Sequence, residues 1–145
     1  MDTMRDNKLY TPVGVKDMLF EECDYKRYIS HQIGEIFRCF GYEQVETPTF
    51  EYIEVFSDEK LGSTKPKEMY RFFDRDGSTL ALRTDMTPPI ARMAATSFSE
   101  KKGEPMRFYY FGNTFRYNEQ YQGKLREFSQ AGIELIGIDS VDADG

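Results

Sequence analysis

The chain has 145 residues, of which 30% are charged and 39% are hydrophobic, and a formal net charge of -6. This length suits one folding unit with an ordinary core, and the composition is typical of a folded protein. The acidic balance argues against a broad nucleic-acid-binding surface, because non-specific affinity depends on Lys and Arg that neutralise phosphates. No segment has the pattern of a signal peptide or a membrane span, so we expect a cytoplasmic protein.

The two cysteines and the single histidine do not indicate a catalytic or metal centre. Cys23 and Cys39 fall on one predicted helix, which at about 1.5 Å per residue holds them roughly 24 Å apart. That separation excludes a disulfide, and neither has a Cys or His at metal-ligand spacing, so we expect free thiols and no metal. His31 has no companion residue of a nucleophilic site, which favours a surface or packing role.

The N-terminal third is predicted to form a helix followed by a strand. Apolar residues recur at three- and four-residue steps from Phe20 to Phe40, the pattern of an amphipathic helix, and Gly41 stands at its expected end. Residues 42–48 then alternate with a period of two and finish at Pro48, which predicts a strand at a sheet edge or a subunit boundary. The apolar residues 50–56 fit either a helix or a loop.

The middle of the chain is predicted to form a loop, a hairpin and a second helix. Residues 57–67 are typical of a loop, and residues 68–83 predict a hairpin with Asp76-Gly77 as its tight turn. A helix is predicted to begin close to Thr87, with proline in its first turn. Asp85 and Thr87 therefore lie on a strand-to-helix turn, where such residues serve equally well as helix caps and as ligand contacts.

The C-terminal third predicts a long hairpin around which we expect the rest of the chain to be organised. Residues 107–117 and 125–137 are rich in aromatic and β-branched residues and flank a polar loop. Symmetric pairing about the loop places Gly112 opposite Gln130 and Arg116 opposite Arg126. Because side chains alternate between faces, one face is largely apolar, while the other is polar, with a gap at a glycine where a ligand could approach. The polar residues of this face are Arg116, Arg126, Gln130 and Glu134, and the same face also carries Phe128, Gly132 and Ile136.

The polar face permits two interpretations. A cation, an amide and a carboxylate around glycines fit a binding floor for a small zwitterion, since each group has a complementary partner there. Mixed charge is also ordinary on the solvent-exposed face of an antiparallel sheet. The pattern alone leaves both open.

The order of these elements, with their residues, resembles the class II aminoacyl-tRNA synthetase catalytic fold and, more narrowly, the histidyl-tRNA synthetase group. Residues 41–48 look like the first class II motif, in which a long helix and a proline-ended strand form the dimer interface, and Phe115-Arg116 looks like the second motif. The resemblance implies an α+β fold, an antiparallel β-sheet flanked by helices, and a homodimer whose interface includes Pro48. It implies that residues 1–145 form a single, truncated class II synthetase-like catalytic-core domain, with parts at 10–56, 68–98 and 107–138.

Two longer runs resemble one branch of this group, the synthetase-like regulatory subunit of ATP phosphoribosyltransferase. They are Leu82-Arg-Thr-Asp-Met-Thr87 and Glu127-Phe-Ser-Gln-Ala-Gly-Ile-Glu-Leu-Ile-Gly137. In that family the subunit is not an enzyme; it joins a short-form catalytic subunit at the first step of histidine biosynthesis and takes part in feedback inhibition by histidine. The resemblance therefore implies a regulatory subunit with no catalytic residues and no cofactor, whose partners are that catalytic subunit and L-histidine.

The resemblance also implies a histidine pocket. Asp85 and Thr87 of the strand-to-helix turn, together with Gln130, would bind the α-ammonium group of histidine. The first arginine of the hairpin would face the carboxylate, and the glutamate would face the imidazole. The implied histidine-binding residues are Asp85, Thr87, Arg116, Gln130 and Glu134, with Arg126 as an additional candidate.

Two departures from the synthetase pattern bear on activity. Asn118 stands where active synthetases usually carry a glutamate that reads adenine, with Glu119 one step later. The chain also stops at Gly145, before the third class II motif and before the segment that closes the family's histidine pocket. We therefore expect no aminoacylation, and weak or undetectable histidine binding from this chain alone.

Two other functions stay open. An N-terminal fragment of a histidyl-tRNA synthetase catalytic domain would be recognised by a third-motif arginine and an anticodon-binding domain further along the chain. A dimerisation module with a vestigial pocket would be indifferent to Gln130→Ala and Glu134→Ala.

Overall fold

The computed structural model describes residues 7–57, 64–101, 103–117 and 124–138, and within them the chain forms two α-helices and two three-stranded sheets. This arrangement confirms the predicted α+β class. The helices are α1 (Glu21–Cys39) and α2 (Thr87–Ser97). The strands are β1 (Glu43–Gln44), β2 (Phe50–Tyr52), β3 (Arg71–Phe73), β4 (Thr79–Leu82), β5 (Met106–Phe115) and β6 (Glu127–Ile136).

The first sheet has the order β1-β5-β6 and contains the long hairpin. β5 and β6 pair antiparallel with Gly112 opposite Gln130, and the Arg116 N–H donates to the Arg126 carbonyl at 2.9 Å. The predicted register is therefore confirmed. β1, in contrast, runs parallel to β5, so this sheet is mixed and the expectation of an antiparallel sheet is wrong at this edge. β1 also covers only two of the residues predicted for the strand 42–48.

The second sheet has the order β2-β4-β3 and is antiparallel throughout. β3 and β4 form the second predicted hairpin, and Gly77 takes a φ of +88° in the turn between them, a conformation that glycine adopts without strain. Residues 50–56, which were ambiguous from the sequence, form β2 and a 3-10 turn at Ile53–Phe56. In the predicted loop 57–67, residues 58–63 lie outside the described part of the chain.

β5 separates two packed regions, because its successive side chains point to opposite sides. Phe108 and Tyr110 face α2 and are each 4% exposed. On the other side, Tyr109 and Phe111 pack against Phe37 of α1, with ring centroids 5.5 and 6.5 Å apart. The α2 side of the core is built from Met86, Ile90 and Ala94. β5 is thus the central strand of the fold.

α1 is an amphipathic helix that keeps much of its apolar surface exposed. It ends as predicted, with Gly41 at a φ of +78° just beyond its last turn. Cys23 and Cys39 are free thiols. No helix in the described ranges is long and apolar enough to cross a membrane. The large side chains of α1 and its flanks that remain exposed are Phe20, Tyr25, Tyr28, Ile29, Ile36 and Phe40.

Candidate functional site

The predicted ligand residues meet where the turn after β4 crosses the polar face of the β5-β6 hairpin. The turn contributes Asp85 and leads into α2, whose first residue is Thr87. Arg116 follows the last residue of β5 and lies on the same face as the polar residues of β6. We call the set Asp85, Thr87, Tyr110, Arg116, Gln130 and Glu134 the polar cluster.

Asp85 holds both the helix and the hairpin. Its Oδ1 accepts a hydrogen bond from the Thr87 backbone N–H at 3.1 Å, so it satisfies a donor in the first turn of α2. Its Oδ2 lies 3.0 Å from Arg116 Nη2, in an ion pair whose side chains are 31% and 37% exposed. Arg116 Nε also donates to the Thr84 carbonyl at 2.8 Å. The capping role and the position beside the candidate ligand site therefore coexist in one carboxylate.

Thr87 and Glu134 connect the helix N-terminus to β6. The Thr87 hydroxyl donates to Glu134 Oε1 at 2.6 Å, a short bond of the kind that a charged acceptor forms. The second oxygen of Glu134 is not used by this bond, so it can accept from another N–H. Glu134 lies opposite Phe108 on β5, at the boundary between the cluster and the apolar core.

Tyr110 belongs to the cluster but was missed by the sequence analysis. Its hydroxyl accepts a hydrogen bond from Gln130 Nε2 at 3.3 Å. Burial, with the negative charges of Glu134 and Asp85, raises the pKa of the Tyr110 phenol to about 12. The phenol therefore stays neutral at any physiological pH and keeps a proton that it can donate.

The expected gap above Gly132 is filled by Tyr110. Gly132 lies directly opposite Tyr110 in the hairpin, and a Cβ atom at Gly132 would stand only 2.7 Å from Tyr110 Cζ. The prediction that a ligand approaches the backbone here is therefore wrong for this structure; glycine is needed because an aromatic ring crosses it. Pairing Tyr110 with Gly132 in the predicted register was the signal that could have found this residue.

Arg126 makes its contacts away from the ion pair of the cluster. Its guanidinium carbon lies 4.5 Å from the Tyr117 ring centroid, a cation-π arrangement. Its backbone N–H donates to the Gly14 carbonyl at 2.6 Å, and its aliphatic stem lies against Gly14. The role of Arg126 as an additional pocket residue stays a prediction.

Arg83 is a buried cation directly before the cluster. It is 6% exposed, and its guanidinium donates to the carbonyls of Asn113 at 2.6 Å and Thr47 at 2.7 Å. Burial lowers the pKa of Arg83, and the charge of the Glu46 carboxylate opposes that effect.

Pro48, the predicted interface residue, is exposed beside the contacts of Arg83. The described residues contain no cluster of three or more His, Cys, Asp or Glu side chains that could hold a metal ion.

Comparison with known proteins identifies the family. Residues 14–145 match the model of the histidyl-tRNA synthetase family. The chain belongs to the histidyl-tRNA synthetase family. Solved structures agree. The chain superposes on a Bacillus halodurans protein described as an ATP phosphoribosyltransferase regulatory subunit/histidyl-tRNA synthetase, with a TM-score of 0.80 and 38% sequence identity. The match covers 93% of this chain and 34% of that one. Apo histidyl-tRNA synthetase of S. aureus gives a TM-score of 0.76 at 29% identity, covering 93% of this chain and 31% of that one.

Curated relatives within the family carry two different names. An ATP phosphoribosyltransferase regulatory subunit from Acetivibrio thermocellus is 46% identical over 97% of this chain and 33% of its own length. A histidine-tRNA ligase from Archaeoglobus fulgidus is 44% identical over 94% of this chain and 33% of its own length. The chain therefore spans about a third of the length of the curated relatives that it matches.

Proposed function

We propose that this chain belongs to a non-catalytic regulatory subunit of ATP phosphoribosyltransferase that binds L-histidine in the polar cluster. The observation that carries the proposal is that all five residues expected to bind histidine meet in one place. Asp85 and Arg116 form an ion pair, Thr87 and Glu134 form a hydrogen bond, and Gln130 joins them through the Tyr110 hydroxyl. They come from three separate parts of the chain. The alternative interpretation, a solvent-exposed sheet face with ordinary mixed charge, does not explain why the first turn of α2 contacts this face.

The chemistry of the cluster complements a zwitterion with an imidazole. Asp85 and the Thr87 hydroxyl provide oxygens for an ammonium group, and Arg116 provides a planar fork for a carboxylate. Glu134 can accept an imidazole N–H, and the neutral phenol of Tyr110 can donate to an unprotonated ring nitrogen. A smaller amino acid would leave the Glu134 end of the site unsatisfied, which selects against it.

Histidine would have to exchange with contacts that already exist inside the cluster. Asp85 and Arg116 neutralise one another, and Thr87 occupies one oxygen of Glu134. A bound zwitterion offers each of them a replacement of the same charge type, so no ion is left unpaired on binding. This exchange keeps affinity moderate, which suits a ligand that must bind and leave as its concentration changes.

As a regulatory subunit, the protein would bind a short-form catalytic subunit and shift its activity. Histidine would bind one arrangement of the complex more tightly than another, because a ligand shifts an equilibrium only through differential affinity. The protein would work in the cytoplasm and form a homodimer through the segment ending at Pro48. The exposed apolar side chains of α1 supply surface for that contact.

The test is to mix the full-length protein with a short-form catalytic subunit and assay phosphoribosyl transfer with and without histidine. We expect activation by the wild type that histidine reverses. Glu134→Gln should activate equally but respond to histidine at least tenfold more weakly, and the exposed Glu100→Gln is the matched control. Failure of the wild type to activate would contradict the regulatory role.

A histidyl-tRNA synthetase is the second candidate, because a histidine-tRNA ligase matches this chain at 44% identity against 46% for a regulatory subunit. Asn118 and Glu119, which bear on ATP recognition, lie outside the described residues. Histidine-dependent exchange between ATP and pyrophosphate separates the two functions. A signal above that of a heat-denatured sample would favour the synthetase.

A further inference from the structure

Arg83 lies where the two sheets meet. β1 pairs with β5 as far as Gln44, and the Val45 N–H still donates to the Tyr109 carbonyl at 2.9 Å. Beyond that point the chain leaves β5, and the Arg83 side chain bridges the space by bonding the carbonyls of Thr47 and Asn113. The first sheet is thus joined to the end of β4 through one guanidinium.

The backbone of Arg83 reinforces the same junction. Its N–H donates to the Thr49 carbonyl and its carbonyl accepts from the Phe115 N–H, both at 2.9 Å. The next residue, Thr84, gives its carbonyl to Arg116 Nε. Arg83 therefore touches the segment 47–49 on one side and the residues that place the Asp85-Arg116 ion pair on the other.

Within the described residues, every hydrogen bond of the Arg83 guanidinium goes to a backbone carbonyl. None of the ion pairs that these residues form includes Arg83, although it is almost completely buried. A planar guanidinium can direct separate N–H groups at carbonyls on two segments at once, whereas the compact ammonium of lysine cannot hold that fork. The geometry of this site therefore depends on arginine and not simply on positive charge.

We infer that Arg83 is a positioning residue that couples the segment 47–49 to the polar cluster. A displacement of residues 47–49 moves the carbonyls that hold Arg83, and with it the turn that presents Asp85 to Arg116. Because Pro48 is the proposed contact with a second subunit, Arg83 transmits the state of that contact to the histidine site. The inference rests on the proposed function for the identity of the ligand, but the coupling itself can be measured without any ligand.

The first test is a double-mutant cycle on the free energy of unfolding in urea, with Pro48→Ala and Asp85→Asn as the two changes. In the wild-type background we expect non-additivity equivalent to about fivefold in the unfolding equilibrium constant. In the Arg83→Lys background the two effects should add to within about twofold. A merely structural arginine would lower stability but leave the non-additivity unchanged, and that outcome would overturn the inference.

Arg38→Lys is the matched control for this cycle. Arg38 of α1 also bonds a residue of the first sheet, the Tyr109 hydroxyl at 3.3 Å, and it pairs with Glu35, but among the described residues it forms no hydrogen bond or ion pair with the segment 47–49 or the polar cluster. It should leave the fivefold coupling intact. If Arg83→Lys does not fold, amide hydrogen exchange on Pro48→Ala decides: faster exchange at Thr87 and Arg116 supports the coupling, and a change confined to residues 45–50 contradicts it.

The second test measures histidine affinity of the full-length protein by calorimetry. Pro48→Ala should weaken histidine binding about fivefold in the wild-type background and not at all in the Arg83→Lys background. Equal weakening in both backgrounds would refute the coupling. If the wild type binds no histidine, the proposed function fails, while the unfolding cycle still decides whether Arg83 couples the two places.

Discussion

Gly132→Ala tests the contact that fills the polar face. A Cβ at this position would lie 2.7 Å from Tyr110 Cζ and 3.2 Å from Cε1, whereas non-bonded carbons prefer about 3.5 to 4.0 Å. Tyr110 is 4% exposed and belongs to the same buried core cluster as Met86 and Ile90, so the ring has little room to move. Overpacking of this kind costs about 1 to 3 kcal/mol, and the reduced chain entropy of alanine returns about 0.5 to 1 kcal/mol.

Because the contact is well inside the preferred separation, we place the cost in the upper half of that range, so the net loss is about 1 to 2 kcal/mol, which for a domain of this size lowers Tm by roughly 3 to 7 °C. Thermal unfolding followed by circular dichroism measures it. Tyr110→Ala is the control background, because removal of the ring makes room for the new methyl group and should abolish the penalty of Gly132→Ala. An unchanged Tm for the single variant would show that Tyr110 does not lie over Gly132 as described.

Three further predictions concern single contacts. Asp85→Asn breaks an ion pair whose side chains are about a third exposed, so it should lower the free energy of unfolding in urea by about 1 kcal/mol or less. A loss of the same size in high salt would contradict an electrostatic origin. Folding favours the neutral Tyr110 phenol, because its pKa rises from near 10 in the unfolded chain to about 12 in the folded one, so its contribution to stability is complete below pH 10 and is lost as pH rises towards 12. The difference in ultraviolet titration between wild type and Tyr110→Phe should therefore have its midpoint near 12. A midpoint near 10 would refute the burial of the phenol. Gly34→Ala should raise the free energy of unfolding by about 0.5 to 1 kcal/mol, since the added Cβ lies 3.6 Å from the Phe111 ring, whereas Gly34→Leu should lower it.

The sequence predicted the hairpin register and five residues of the polar cluster because both rest on strong local signals. Alternation over two ten-residue strands fixes which side chains share a face, and the loop between them fixes the pairing. Asp85 and Thr87 were found because a proline-containing first turn marks where α2 begins. The meeting of these two parts was indicated by the family resemblance and not by periodicity.

Alternation alone predicts neither Tyr110 nor the short β1, although the register pairs Tyr110 with Gly132. Residues 107–111 include four consecutive aromatic side chains, so alternation gives no contrast between buried and ligand-facing positions. β1 is short because residues beyond Val45 turn away from β5 and give their carbonyls to Arg83, an interaction across more than thirty residues of sequence. Local patterns carry no information about such a partner.

The separation of α1 from β5 along the chain has a consequence for synthesis. α1 precedes β5 by roughly seventy residues, and a ribosome adding about 5 to 20 residues per second needs roughly 4 to 14 seconds to make that interval. During this time Phe37 has no Tyr109 or Phe111 to pack against, and the other apolar side chains of α1 are exposed as well. Until β5 has been made, the side of α1 that it covers therefore has no packing partner and is open to association with other chains.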